Sequence, residues 1–189
     1  MSRIGLMGGT FDPPHLGHLL IAEQAREQLE LDEVWFLPAA IPPHKSGFSQ
    51  AEDRIEMTRR AIASNPAFKL DLIEFERTEP SYTVETMRRL RERYPDDAFY
   101  FLIGADSLES LEKWYDYETL VTLVTFGAVA RPGSRYRIPK RADVRTIDMP
   151  QLEISSTDIR ERAKRNRSIA YLVPSEVETY IKEHGLYDV

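Results

Sequence analysis

The chain of 189 residues contains no cysteine. Disulfide bridges, thiolate nucleophiles and cysteine zinc sites are therefore excluded, and a reducing, cytoplasmic setting is expected. No apolar run approaches the roughly 20 residues that cross a bilayer. The opening MSRIGLMGG reaches its glycines before a signal-peptide core can form, so neither export nor a membrane partner is expected. An excess of positive charge is missing as well: 31 acidic residues outnumber 25 basic ones, giving a formal net charge of −6. That balance argues against a protein that coats nucleic acid by bulk electrostatics, and no nucleic-acid partner is expected. Histidine is scarce at four residues, which makes its placement informative. What is present is 42% hydrophobic and 30% charged, the balance of a globular protein. A chain of this length supplies one substantial core, and one domain over 1–189 is expected.

Short apolar segments alternate with helical patterns. RIGLM (3–7) has the character of a strand entering a glycine turn, and Leu19, Leu20, Ala22, Ala25 and Leu29 recur behind it at helical spacing. VWFLPA (34–39) and LDLIEF (70–75) are predicted as the next strands. Between them Ser49 and Glu52 form a capping box ahead of a helix carrying Ile55 and Ile62. Val84, Met87, Leu90 and Tyr94 make a helical stripe, and FYFLIG (99–104) is a continuous apolar run of the kind buried on both faces of a parallel sheet. VTLVTFGAVA (121–130) and VRTIDM (144–149) are expected as later strands. Ser175 with Glu178 forms a further capping box, and Gly185 falls at that helix's C-terminal cap. The alternation predicts an α/β fold: a doubly wound parallel sheet with a small C-terminal helical part.

In such a sheet ligands bind at the carboxyl ends of the strands, where GGTFDPPHLGH (8–18) must lie. It is not a Walker A loop, because no GKS or GKT follows, and it lacks the GxGxxG spacing of a dinucleotide fingerprint. Gly8 and Gly9 let backbone N–H groups approach an anion, and the following helix adds its N-terminal dipole. His15 and His18, three apart, place both rings on one side of the helix start. Two imidazoles and a helix N-terminus facing one cleft suit a polyphosphate whose charge grows during reaction. The bland alternative is that the rings only cap the turn.

GGTFDPPHLGH resembles the signature of the HxGH nucleotidyltransferases, and the second signature of that superfamily is matched by ISSTDIR (154–160). LPAAIPPHK (37–45), PSYTVET (80–86), FLIGADS (101–107) and KWYDY (113–117) extend the resemblance to the bacterial nicotinate-nucleotide adenylyltransferase family over nearly the whole length. The resemblance implies a single Rossmann-like nucleotidyltransferase domain that transfers the adenylyl group of ATP to nicotinate mononucleotide, with pyrophosphate leaving. The attacking phosphate monoester has a second pKa of about 6, so it is ionised at neutral pH and needs no general base. Alignment of two anions and neutralisation of the growing charge are what remain for the protein.

By that resemblance His15, His18 and Arg160 are the catalytic set, and Gly8, Gly9, Thr10 and Phe11 line the nucleotide turn. Gly104 and Asp106 fall on the adenosine side. Ile154 is a further cofactor-binding residue, and Ser155 and Ser156 at a helix N-terminus, with Arg160, hold the β- and γ-phosphates. Thr83, Trp114 and Tyr115 surround the nicotinate ring, with the indole as a flat face, and Lys45 steers phosphates. Mg2+ accompanies ATP, held by phosphate and water, with no metal ligand assigned to the chain. Because the family includes dimers, a homodimer is the assembly the resemblance allows. Plainer readings of the same residues stay open. Ser155 with Asp158 is also an ordinary helix start, Asp106 an N-cap, Trp114 a core residue, Thr83 a cap and Lys45 a solvated lysine. The basic clusters RRLRER (88–93) and RAKRNR (162–167) suit solvated helix faces. Competing functions are a phosphopantetheine adenylyltransferase, an RNA-binding relative of class I aminoacyl-tRNA synthetases, for which no KMSKS-type motif is found, and a nucleotide sensor without turnover.

Overall fold

The computed structural model describes residues 1–44, 46–130, 133 and 136–188. Six strands, β1 (Arg3–Gly9), β2 (Glu33–Pro38), β3 (Phe68–Leu70), β4 (Ala98–Ile103), β5 (Thr125–Ala130) and β6 (Val144–Asp148), form one sheet in the order β3-β2-β1-β4-β5-β6. Every pairing is parallel. The helices are α1 (Leu16–Gln28), α2 (Ala51–Ile62), α3 (Thr83–Arg93), α4 (Ala105–Ser110), α5 (Tyr117–Leu123), α6 (Ser156–Lys164) and α7 (Ser175–Glu183). This is the doubly wound order with its reversal between β1 and β4, and crossover helices cover both faces.

Alternation along the strands sends successive side chains to opposite faces. Val34 and Phe36 join one apolar core, which also takes Ala22 and Ala25 of α1, Met57 of α2, Ile159 of α6 and Ile181 of α7. Trp35 and Leu37 join the other, with Met87 and Leu90 of α3, Leu108 of α4 and Leu120 of α5. The C-terminal helices therefore pack on the same face as α1, the helix that carries the paired histidines.

Several local expectations are corrected. The sheet segment near 70–75 is β3 at 68–70 only, because the Asp71 carboxylate accepts the Ile73 N–H at 2.9 Å and turns the chain into a 3-10 helix over Ile73–Glu76. Residues 121–123 of the predicted strand 121–130 finish α5, since their apolar run serves a helix that ends as the strand begins. The Ser49 capping box does not form: Gln50 is the N-cap, and the Ser49 N–H is held by Asp12 at 2.8 Å. The core face of α2 is Arg54, Met57, Thr58, Ala61 and Ile62 rather than a stripe through Ile55. The Ser175 box is absent as well, because Pro174 takes the N-cap position and Ser175 bonds Glu176. At the other end of α7, Gly185 adopts φ +58 as expected. Leu186 N–H reaches Ile181 O at 3.0 Å and Gly185 N–H reaches Lys182 O at 3.4 Å, closing the helix in a Schellman motif.

Candidate active site

β1 outruns its partner on one side. Its ladder with β4 spans Arg3 to Leu6, whereas Gly8 and Gly9 pair with β2 alone, opposite Leu37 and Pro38. The glycines are thus the last residues of a strand and not the turn itself, and a crevice opens beside them at the reversal of strand order. The turn comes after Thr10, where Phe11 takes φ +53 and buries its ring to 1% exposure.

His15 is the N-cap of α1, with extended backbone at φ −143, and His18 is the third helical residue. The His15 N–H donates to His18 Nδ1 at 3.1 Å, and the two rings stack with centroids 3.7 Å apart. Phe11 supports the stack edge-on, 5.0 Å from the His18 ring. Gly17 makes the arrangement feasible, because a Cβ there would stand 2.9 Å from the His15 ring. His15 is buried, and desolvation lowers its pKa to about 4, so it is neutral at pH 7. On His18 the occupied Nδ1 lone pair assigns the ring proton to Nε2, a neutral N–H donor. No acidic residue lies in the first turn of α1 to compete for its N-terminal dipole.

The second motif grips this loop from the other end of the chain. Ser155 is the N-cap of α6 and accepts the Asp158 N–H at 3.1 Å, so the helix-start reading of that serine is borne out. The Ser156 hydroxyl donates to Pro13 O at 2.8 Å, and Arg160 Nη1 donates to Asp12 O at 2.9 Å. Toward an anion Ser156 retains its backbone N–H, one of the unpaired donors of a helix start.

Three cavities meet here. One of about 320 Å³ lies over the ends of β1 and β4 and is lined by Gly8, Gly9, His18, Thr83, Gly104 and Trp114, among others. Another of about 660 Å³ holds Gly104, Asp106, Ile154 and Ser155. A third of about 520 Å³ is walled by His44, Tyr82, Thr83, Trp114 and Tyr115. Ser107 lines all three. Most of the predicted residues are thus gathered around one cleft. Thr10 and Phe11 lie behind it: the Thr10 carbonyl is taken by Arg54 at 3.0 Å, and Phe11 is core. Gly104, not Asp106, caps α4, and Tyr82, not Thr83, caps α3, which corrects both capping alternatives. Trp114 is half-buried, edge-on to Phe101 at 6.1 Å, and Tyr115 is 58% exposed against the Tyr82 ring. Lys45 lies outside the described residues.

Sequence reasoning passed over the polar groups beneath the cleft. Glu74 and Arg77 pair at 2.9 Å with side chains 7% and 3% exposed, and both bond Thr86. Arg54 is fully buried and donates to the carbonyls of Ser49, Thr10 and Ala39. An arginine on the apolar stripe shared by Met57 and Ala61 was a readable signal of a buried partner. Asp12, inside the first motif, accepts both the Tyr187 hydroxyl at 2.6 Å and the Ser49 N–H.

A strand-order reversal facing His18 and a helix N-terminus suits a nucleotide phosphate, and the class is a nucleotidyltransferase: residues 6–162 match the family described as cytidylyltransferase-like. The chain is 61% identical over 186 residues to a probable nicotinate-nucleotide adenylyltransferase of Exiguobacterium sibiricum, covering 98% of each. It is 48% identical over 190 residues to the nicotinate-nucleotide adenylyltransferase of Bacillus subtilis, covering 100% of each. The chain belongs to the nicotinate-nucleotide adenylyltransferase family. Its fold matches that of the Plasmodium falciparum nicotinic acid mononucleotide adenylyltransferase complexed with NaAD, with a TM-score of 0.82 and 23% identity over 99% of this chain and 98% of that one.

Proposed function

We propose that the chain transfers the adenylyl group of ATP to nicotinate mononucleotide, a step of NAD biosynthesis, with the cleft over β1 and β4 as its active site. The observation that carries this reading is the His15–His18 stack at the N-terminus of α1, bordering a cavity that continues toward Trp114 on one side and Ser155 on the other. A phosphate oxygen of nicotinate mononucleotide attacks the α-phosphorus of ATP. The new P–O bond forms as the bond to the β-phosphate oxygen breaks, and pyrophosphate leaves with that electron pair. No proton needs to be removed from the nucleophile. His18 donates Nε2–H to the α-phosphate as charge gathers there, while His15 fixes the ring that donates. Arg160 and the N–H groups opening α6 hold the β- and γ-phosphates, and the adenosine lies along Gly104, Asp106 and Ile154. Gly8 and Gly9 line the cleft where the triphosphate lies, with Thr10 and Phe11 supporting the turn from behind. Thr83, Trp114 and Tyr115 hold the nicotinate end, and Lys45 draws in phosphate. Mg2+ enters with ATP, held by phosphate and water, and neutralises the triphosphate. The enzyme works as one domain over 1–189 in the cytoplasm and associates as a homodimer.

Pyrophosphate release with Mg-ATP and, separately, nicotinate mononucleotide, nicotinamide mononucleotide and phosphopantetheine, with products identified by mass, tests the reading. Release with the nicotinic acid nucleotide and formation of nicotinate adenine dinucleotide are expected, whereas release with phosphopantetheine alone overturns the acceptor assignment. Substitution His18→Ala is expected to abolish turnover in a folded protein, and normal turnover refutes the role of its ring.

A further inference from the structure

Asp12 is 3% exposed, and every polar atom of its carboxylate is engaged. One oxygen accepts the Tyr187 hydroxyl at 2.6 Å and the other the Ser49 N–H at 2.8 Å. The backbone carbonyl of the same residue is the anchor of Arg160 at 2.9 Å, and that of the next residue anchors Ser156 at 2.8 Å. The Tyr187 hydroxyl thus stands at one end of a chain of bonds whose other end is the guanidinium assigned to the triphosphate. Tyr187 adopts φ +67, a left-handed conformation costly for a bulky residue, so its surroundings must over-determine it. Desolvation together with the neighbouring Asp12 raises the Tyr187 pKa, which keeps the hydroxyl a donor throughout the working range.

We propose that Tyr187 is a positioning residue for adenylyl transfer: through the Asp12 carboxylate it fixes the loop that presents His15 and His18 and that anchors Arg160. The inference rests on the roles proposed above for those three residues. Deleting the hydroxyl leaves a buried carboxylate one donor short, and Asp12 must shift to recover one. Any shift carries the Arg160 anchor with it, at a site where displacements of about 1 Å cost up to roughly a hundredfold in rate.

The helix that precedes Tyr187 supplies a control. Tyr180 donates to Asp53 at 2.8 Å, the same chemistry between α7 and α2, at a carboxylate outside the loop. Full-length Tyr187→Phe, Asp12→Asn and Tyr180→Phe are compared with the wild type for pyrophosphate release, with circular dichroism to establish folding. A loss of kcat of about tenfold or more is expected in the first two, with the KM for nicotinate mononucleotide within about twofold of wild type. Tyr180→Phe keeps its kcat even where its thermal midpoint falls. In ring-labelled protein, where only four histidines resonate, the signals of His15 and His18 shift in Tyr187→Phe while that of His44 stays. Wild-type kcat with unmoved His15 and His18 signals in folded Tyr187→Phe overturns the proposal. If that variant does not fold, Asp12→Asn decides by the same two criteria. If the wild type itself shows no turnover, the proposed function fails and the histidine signals alone judge the positioning.

Discussion

A methyl group on Gly17 would stand 2.9 Å from both Cε1 and Nδ1 of His15, closer than packed carbons approach. The glycine between the histidines is therefore there for the ring stack. Substitution Gly17→Ala is expected to lower stability by about 1–3 kcal/mol, the range for overpacking, and to reduce kcat, because His15 can yield only by leaving His18. Urea unfolding alongside steady-state kinetics checks both. His15 adds a pH dependence whose sign follows from burial. Its pKa falls from 6.5 unfolded to about 4 folded, so between those values the unfolded chain binds the extra proton and stability declines as pH falls. At pH 5 the loss is about 2 kcal/mol relative to pH 7, and the contribution fades out as pH rises past 6.5. Unfolding at the two pH values, in wild type and in His15→Gln, isolates this share, which the variant should lack. The histidines, glycines and Arg160 were legible because each sits in a short motif with local meaning. The Tyr187–Asp12 bond was not, because its partners lie 175 residues apart and a tyrosine near a chain end carries no local signal.

Among the elements, α6 concentrates the second half of the site. Its N-cap serine satisfies one of the orphan N–H groups and leaves those ahead of it for an anion. Ser155→Ala is expected to destabilise the protein by about 1 kcal/mol and to raise the KM for ATP more than that for the acceptor. A uniform change in both KM values would argue that the helix start acts on the fold alone. Strands buried on both faces, such as β4, could be predicted from their continuous apolar runs, and the strand-then-helix rhythm set the topology. The misjudged segments share a cause. In 70–75 and 121–123 apolar residues continue past the point where a side-chain acceptor or a helix end changes the backbone, and periodicity over so few residues does not separate strand from helix. The two capping boxes failed for different reasons: a distant carboxylate, Asp12, holds the Ser49 N–H, whereas at Ser175 the cause is local, with Pro174 as the N-cap and the serine hydroxyl bonding Glu176.

At the scale of the molecule, the sheet divides two apolar cores, and the cleft lies at the strand ends between them. The face packed with α1, α6 and α7 carries the residues proposed to grip the phosphates, and the face packed with α3 and α5 carries those proposed to wall the acceptor. Both tryptophans, Trp35 and Trp114, belong to the second face. Their fluorescence therefore reports that core alone, whereas far-ultraviolet circular dichroism reports helices on both. If 1–189 is one domain, the β-strands transmit loss of either core to the other, and the two probes must give coincident urea transitions. An earlier fluorescence transition would mean that the acceptor wall opens while the phosphate grip stays folded. Saturating Mg-ATP then discriminates further. A ligand bound across the reversal of strand order stabilises only the native state that holds both sides, by about 2.7 kcal/mol at a hundred times its dissociation constant. Both probes should move together to higher urea by that amount, and a shift confined to one of them would place the triphosphate on a single face instead of across the two.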